Sequence, residues 1–347
     1  MFEIITNGLI FSTLIFGALF IFTQIKTNEI SKTYPPIGDF RDLDGTRIHY
    51  KFVKADDNSD LPALIFIHGA SGNLRDQTEP FFNKLKGRAN LLFIDRPGHG
   101  WSERSSEDQK FPDKQALIIS KLMSALDLQN GIIVGHSFGC AVTASFALNH
   151  HEKTKALLFL APAAYPWPGG VAWYYSLTSM PFIGWLFANT LALPSGLKRV
   201  ESGSRCVFLP NIMPSNYIEK TGPSLVLRPR SFRSNAKDIT ALFNYLVKTW
   251  PRYKTIKSPT IIISGDKDNV VFPYIHSRGL EQHIENAELI SLDNVGHKPD
   301  YAAVDIAIAA IENLSGKSKH DLKKMAAELD KELRDQQVES HSLPINY

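Results

Sequence analysis

A hydroxyl between two glycines, in "GHSFG" from Gly135 to Gly139, is where chemistry first becomes legible in this chain. It sits where the apolar run "GIIV" gives way to the helical-looking "CAVTASFALNH". A serine that must protrude from a sharp strand-to-helix corner needs small neighbours on both sides, as in the nucleophile elbow of acyl-transfer chemistry. The spacing alone is a weak signal, so Ser137 needs partners: a base to take its proton and a group to orient that base. Downstream, "SGDKDNVV" closes one apolar strand and "DNVGHKPD" closes the next. In an open parallel sheet both loops arrive at the same carboxyl edge as the elbow. His297 is then the base. Asp266 and Asp268 compete as the orienting acid. Asp266 directly follows the strand-ending Gly265, whereas Asp268 lies where the loop can turn toward His297, and Asp268 is favoured. "DKDN" lacks the glycine and glutamate of a calcium loop, so no metal is assigned.

Acyl transfer also needs donors for a developing oxyanion. The N–H of Phe138, next after the nucleophile, is one. The loop "HGASGN" after the third strand supplies the other, with Gly69 and Gly72 allowing close approach of backbone and Ala70 as the candidate donor. His68 in that loop reads as a structural histidine rather than a second base.

These residues require a parallel sheet to position them. "YPPIGDFRDLDGTRIHYKFVKA" reads as a hairpin about Asp44-Gly45. "LPALIFIHG", "NLLFIDRPGHG", "GIIVGHS", "KALLFLAPA" and "SPTIIISGDKDNVVF" are strands apolar along their whole length. Helices are expected in "EPFFNKLKGRA", from Pro112 to about Leu128, in "CAVTASFALNH" and in "YAAVDIAIAAIENL". This alternation implies an α/β fold with helices on both faces of a mostly parallel sheet.

The alternation breaks between Pro162 and Pro251, a stretch holding Trp167, Trp173, Trp185 and Trp250, and an inserted helical cap is expected over 163–250. These aromatics suit either the cap's own core or a membrane interface. The core is expected over 31–162 and 251–315. The tail, 316–347, is a charged helix with a thin stripe at Leu322, Met325, Leu329 and Leu333, expected to be solvated or loosely docked.

The first thirty residues differ. From Ile4 to Ile25 there is no charge, and as a helix this run reaches roughly 33 Å, enough to cross a hydrocarbon core. No Lys or Arg precedes it and no small-x-small site follows it, which favours a retained anchor over a cleaved signal peptide. Lys26 and Lys32 follow the span and place the main domain on the cytoplasmic side. Across 347 residues the net charge is only +3, with 44% hydrophobic and 21% charged residues, so the chain is globular and carries no basic footprint for nucleic acid. Cys140 and Cys206 are too few for a disulfide framework and read as small buried side chains.

Jointly, "HGASGN", "DRPGHGWSER", "GHSFG", "GDKDNVV" and "VGHKPD" resemble the α/β-hydrolase fold from about Ile37 to Leu314. "DRPGHGWS" is similar to the turn after strand four in the branch holding small esterases, carbon–carbon bond hydrolases, haloperoxidase-like enzymes, epoxide hydrolases and dehalogenases. The last two use an aspartate nucleophile, and Ser137 argues against both. The resemblance implies that Asp95 and Arg96 shape the loop beside the site without being catalytic. An anchor before such a domain is similar to membrane-anchored monoacylglycerol lipases. Together these readings imply a membrane-anchored serine hydrolase acting on an apolar or lipid-like carboxylic ester, with no cofactor, nucleic acid or protein partner. The alternatives are a carbon–carbon bond hydrolase or amidase on the same triad, or a non-catalytic receptor.

Overall fold

The computed structural model describes residues 2–342. It opens with helix α1 (Phe2–Thr33), followed by the hairpin β1 (Asp39–Leu43) and β2 (Thr46–Val53). Asp44 and Gly45 turn that hairpin with φ +53° and +77°, conformations that a short polar residue and a glycine tolerate. The uninterrupted apolar runs become β3 (Ala63–Ile67), β4 (Leu91–Ile94), β5 (Gly131–His136), β6 (Thr154–Leu160), β7 (Thr260–Gly265) and β8 (Ala287–Leu292). They form one eight-stranded sheet in the order β1-β2-β4-β3-β5-β6-β7-β8. β2 pairs antiparallel with β1 and β4, and every pair from β4 to β8 is parallel.

Helices α2 (Leu74–Leu85), α3 (Pro112–Ala125) and α4 (Phe138–Asn149) follow β3, β4 and β5. Alternate strand residues feed two cores, as the two-residue period of a strand demands. Ile65 and Ile67 pack with Ile119 and Phe146 on one face, while Leu64 and Phe66 pack with Phe81 and Ile311 on the other. α2 begins five residues earlier than "EPFFNKLKGRA" suggests, because the Asn73 side chain caps it by accepting from the Arg75 N–H at 3.0 Å. Pro80 inside α2 cannot bond the Asp76 carbonyl one turn back, and the Tyr301 hydroxyl donates to that carbonyl instead at 2.8 Å.

Between β6 and β7 lie α5 (Trp173–Ser179), α6 (Phe182–Phe187), α7 (Leu193–Leu197), α8 (Val200–Phe208), α9 (Tyr217–Thr221) and α10 (Pro229–Thr249). The four tryptophans of this insertion differ in burial. Trp167 and Trp250 pack against the main core, whereas Trp173 and Trp185 are exposed. After β7 come α11 (Pro273–His283), α12 (Pro299–Ala302), α13 (Val304–Ser315) and α14 (Leu322–Ser342). The stripe of α14 is more than a loose contact, since Leu322 and Ala326 are buried in the second core. Cys140 is buried as expected, but Cys206 is exposed, because α8 turns that position outward from its buried Ser204 and Phe208. The stretch Ile10–Thr33 is long and apolar enough to cross a membrane, by length and composition.

Candidate active site

Ser137 joins β5 to α4 with φ +52° and ψ −119°, a strained conformation for a side-chain-bearing residue. The flanking glycines make that corner possible. A Cβ on Gly135 would overlap the Thr143 hydroxyl, and one on Gly139 would overlap the Ile67 carbonyl. The corner is held by the Ser137 N–H donating to the Leu160 carbonyl at 3.0 Å and by the Ser137 carbonyl accepting from Cys140 N–H at 2.9 Å. Cys140 is no rival nucleophile, since burial pushes its thiol pKa well up.

His297 follows β8 and brings its Nε2 to 3.0 Å from the Ser137 Oγ. Its Nδ1 lies 2.7 Å from Asp268 Oδ2. Asp268 is fixed in turn, because its Oδ1 accepts from the N–H groups of Val270 and Val271 at 2.8 and 3.0 Å. With the carboxylate holding Nδ1–H, Nε2 is left bare to accept the serine proton. Asp266 has another task. It is exposed, pairs with Lys267 at 2.7 Å, and accepts from the Asn294 N–H at 2.7 Å. The two competing aspartates are thus separated by geometry: Asp268 faces the histidine and Asp266 ties the outer loop.

The loop after β3 runs directly against the nucleophile, where a Cβ on Gly69 would come to 3.0 Å from Ser137 Cβ. Ala70 lies on this loop, and Phe138 is the first residue of α4, so its N–H has no acceptor within the helix. His68 does not join the triad. The Arg96 N–H donates to its Nε2 at 3.0 Å, its Nδ1–H bonds the Gly69 carbonyl at 2.8 Å, and burial drives its pKa well below the ordinary value. It is a neutral buried spacer.

Arg96 supports the same loop from beneath. Its guanidinium donates to the His68 and Gly69 carbonyls at 3.0 and 3.1 Å and to Asp238 of α10 at 2.7 Å. It also stacks 4.4 Å from the centre of the Phe138 ring. Asp238, fully buried, takes a second arginine, Arg104. Asp95 accepts from the Leu74 and Trp101 N–H groups at 2.7 and 2.8 Å and meets His49 at 2.6 Å, so it closes the loop around Gly98 to Gly100. The insertion reaches the site from above. Asn235 of α10 accepts from the Ser71 N–H at 2.7 Å, and Asn211 accepts from the Gly296 N–H at 2.9 Å. Ser137 and His297 are consequently only 7% and 5% exposed. A surface hollow of about 470 Å³ lies between the insertion and the 104–107 loop and another of about 620 Å³ lies on the insertion, and neither is lined by Ser137, Asp268 or His297.

Sequence reasoning missed a buried ionic cluster behind the triad. Lys298, next to His297, reaches Asp76 and Asp300 at 2.9 Å each. His136, next to Ser137, donates from Nε2 to the His297 carbonyl at 2.9 Å. Burial lowers the His136 pKa to about 4, so its imidazole is neutral. Burial would lower the Lys298 pKa, but Asp300 and Asp76 outweigh it and the ammonium persists. Asp76, His136 and Asp300 could by spacing hold a metal ion, but Lys298 already supplies a cation to both carboxylates. Tyr217 of α9 donates to Asp76 at 2.9 Å, which links the insertion to this cluster. The visible signal was "HKPD", a lysine and an aspartate beside the histidine in a mostly apolar setting.

A family model described as alpha/beta hydrolase fold matches residues 62–299. The chain belongs to the alpha/beta hydrolase family. Among its relatives, a poly(3-hydroxyalkanoate) depolymerase of Ectopseudomonas oleovorans is 28% identical over 245 residues, covering 68% of this chain and 78% of that one. Lipase 3 of a Moraxella species is 28% identical over 260 residues, covering 73% and 78%. The enol-lactonase of Burkholderia xenovorans superposes with a TM-score of 0.62 at 19% identity, covering 80% of this chain and 99% of that one. The fold and a hydrolase's scaffold are therefore shared with these hydrolases of different substrates.

Proposed function

We propose that this alpha/beta hydrolase is a serine-dependent carboxylic ester hydrolase that works through an acyl-enzyme. The observation that carries the reading is the chain of contacts from Asp268 to His297 to Ser137, at 2.7 and 3.0 Å, on a strained elbow. Ser137 Oγ attacks the ester carbonyl while its proton passes to His297 Nε2. The tetrahedral oxyanion is held by the N–H groups of Ala70 and Phe138. Collapse breaks the bond to the alcohol, which leaves with the proton from His297. A water then attacks the acyl-serine, gives its proton to His297, and releases the acid as that proton returns to Ser137. Asp268 keeps the imidazole in the required tautomer and stabilises the imidazolium. No step in this sequence calls on a metal or organic cofactor.

The substrate we propose is apolar and long-tailed. Aromatic side chains crowd the insertion over 163–250, which acts as a cap over the core at 31–162 and 251–315, and a relative is named a lipase. The segment 1–30 serves as a retained single-pass anchor, with Lys26 and Lys32 on the cytoplasmic side, and the expected tail, 316–347, is an appended helical segment whose last five residues lie outside the described ones. An ester series from acetyl to octanoyl and longer, assayed on the purified protein with and without vesicles, tests the substrate class. Each methylene buried in an apolar pocket contributes about 0.8 kcal/mol, so kcat/KM should rise clearly along the series. A preference for acetyl that vesicles do not alter would leave a small-ester hydrolase.

A further inference from the structure

The hairpin of α5 and α6 is arranged inside out for a protein surface in water. α6 reads "FIGWLF", and Phe182, Ile183, Trp185 and Leu186 all face outward, Phe182 at 89% exposure. Several polar residues nearby are turned inward: Thr178, Asn189 and Thr190 are buried, while Ser176 on α5 is exposed. Gly184 is the position of α6 that packs inward, where a Cβ would overlap the Thr178 carbonyl. The exposed side chains are not the product of a loose loop, since Arg233 fastens the turn by donating to the Pro181 carbonyl at 3.1 Å. An ordered helix that presents four large apolar side chains side by side, with Thr178, Asn189 and Thr190 buried beneath it, fits an apolar solvent.

The N-terminal helix sets the depth of that element. Thr23 of α1 is fully buried and donates to the Thr190 carbonyl at 3.4 Å, and Gln24 donates to Asn189 at 3.3 Å. One turn earlier, the Phe20 ring lies 6.1 Å from Trp185. Lys26 is the first charged residue after the apolar run, six positions beyond Phe20. At 1.5 Å per residue, Trp185 is held roughly 9 Å to the apolar side of Lys26. A lysine at the headgroup level therefore puts α6 at the acyl boundary, about 5–10 Å deep, where interfacial helices lie.

We infer that the α5–α6 tip is a second membrane contact, immersed beside α1 in the outer acyl region of a phospholipid bilayer. The inference rests on the anchor reading and adds to it that the cap itself enters the lipid. The test uses the full chain in phosphatidylcholine vesicles, with Cys206→Ser removing the exposed native thiol. An environment-sensitive fluorophore is attached singly at Phe182→Cys, at Leu14→Cys in the anchor, or at Glu285→Cys on the core. Phosphatidylcholine bearing a spin label on its acyl chain is the quencher. The expected result is a blue shift and loss of emission at 182 and 14, with neither at 285. Quenching at 14 without quenching at 182 overturns the inference and leaves the anchor standing. Quenching at neither position removes the anchor reading and the inference with it. A blue shift at 182 that the lipid quencher does not touch means that protein covers this face, and that result also overturns it.

Discussion

At the scale of single residues, the site separates groups of similar type by what holds them. Asp268 and Asp266 lie two positions apart, yet only Asp268 meets the histidine, while Asp266 ties Asn294 in the outer loop. Asp268→Asn is expected to lower kcat by about 10³-fold or more, because the amide favours the wrong tautomer of His297. Asp266→Asn should change kcat little, and stopped assays on both folded variants would expose a reversed order. Behind the triad, Lys298 compensates two buried carboxylates. Lys298→Met removes one partner and leaves uncompensated buried charge, a loss of about 3–5 kcal/mol by the experience of other buried pairs. Urea denaturation reads this directly, and an unchanged midpoint would mean that the cluster is not paired as described. The approach of these three side chains was legible in sequence because Ser137 lies between Gly135 and Gly139, His297 follows Gly296, and Asp268 lies in the loop just past the strand-ending Gly265. The cluster was not, because Lys298 and Asp76 stand 222 positions apart and only the fold brings them together.

At the scale of elements, the sheet was legible for a physical reason: strands covered on both faces are apolar throughout, and such runs have few other uses. Helix boundaries were less so, since the cap at Asn73 and the Asp76 carbonyl, left free by Pro80 and satisfied by Tyr301, depend on local and tertiary bonds that periodicity does not carry. The insertion was legible as an interruption, but its packing was not. One of its ties to the core is the buried group of Arg96, Arg104 and Asp238. Asp238→Ala leaves two arginines unpaired and frees Arg96 from one of its anchors beneath the oxyanion loop. The variant is expected to lose about 3–5 kcal/mol of stability and to lower kcat as well as raise KM. A variant that is destabilised but has wild-type kinetics would show that Arg96 needs only the carbonyls of His68 and Gly69 to hold the loop.

At the scale of the whole molecule, burial has left several imidazoles neutral. Burial puts His136 and His276 at about 4 and His68 and His99 well below the ordinary value of 6.5. The unfolded chain takes up protons on these groups as pH falls below 6.5, and the folded chain does not. Stability is therefore full above pH 6.5 and is lost progressively down to about pH 4, at up to about 1.4 kcal/mol per pH unit for each histidine. Calorimetry at pH 7, 5.5 and 4 should show Tm falling steadily, and a flat Tm would contradict the burial of these groups. The fold also accounts for why Ser137 alone should be activated, since it joins residues 160 and 29 positions apart into one hydrogen-bonded chain. The most direct measurement is the intact mass of the protein after exposure to a fluorophosphonate. One adduct per folded wild-type chain is expected, with none on Ser137→Ala, none after denaturation, and parallel loss of ester hydrolysis in the folded Ser137→Ala variant. An adduct that persists in Ser137→Ala, or ester turnover near the wild-type rate in that variant, would contradict the proposed role of Ser137.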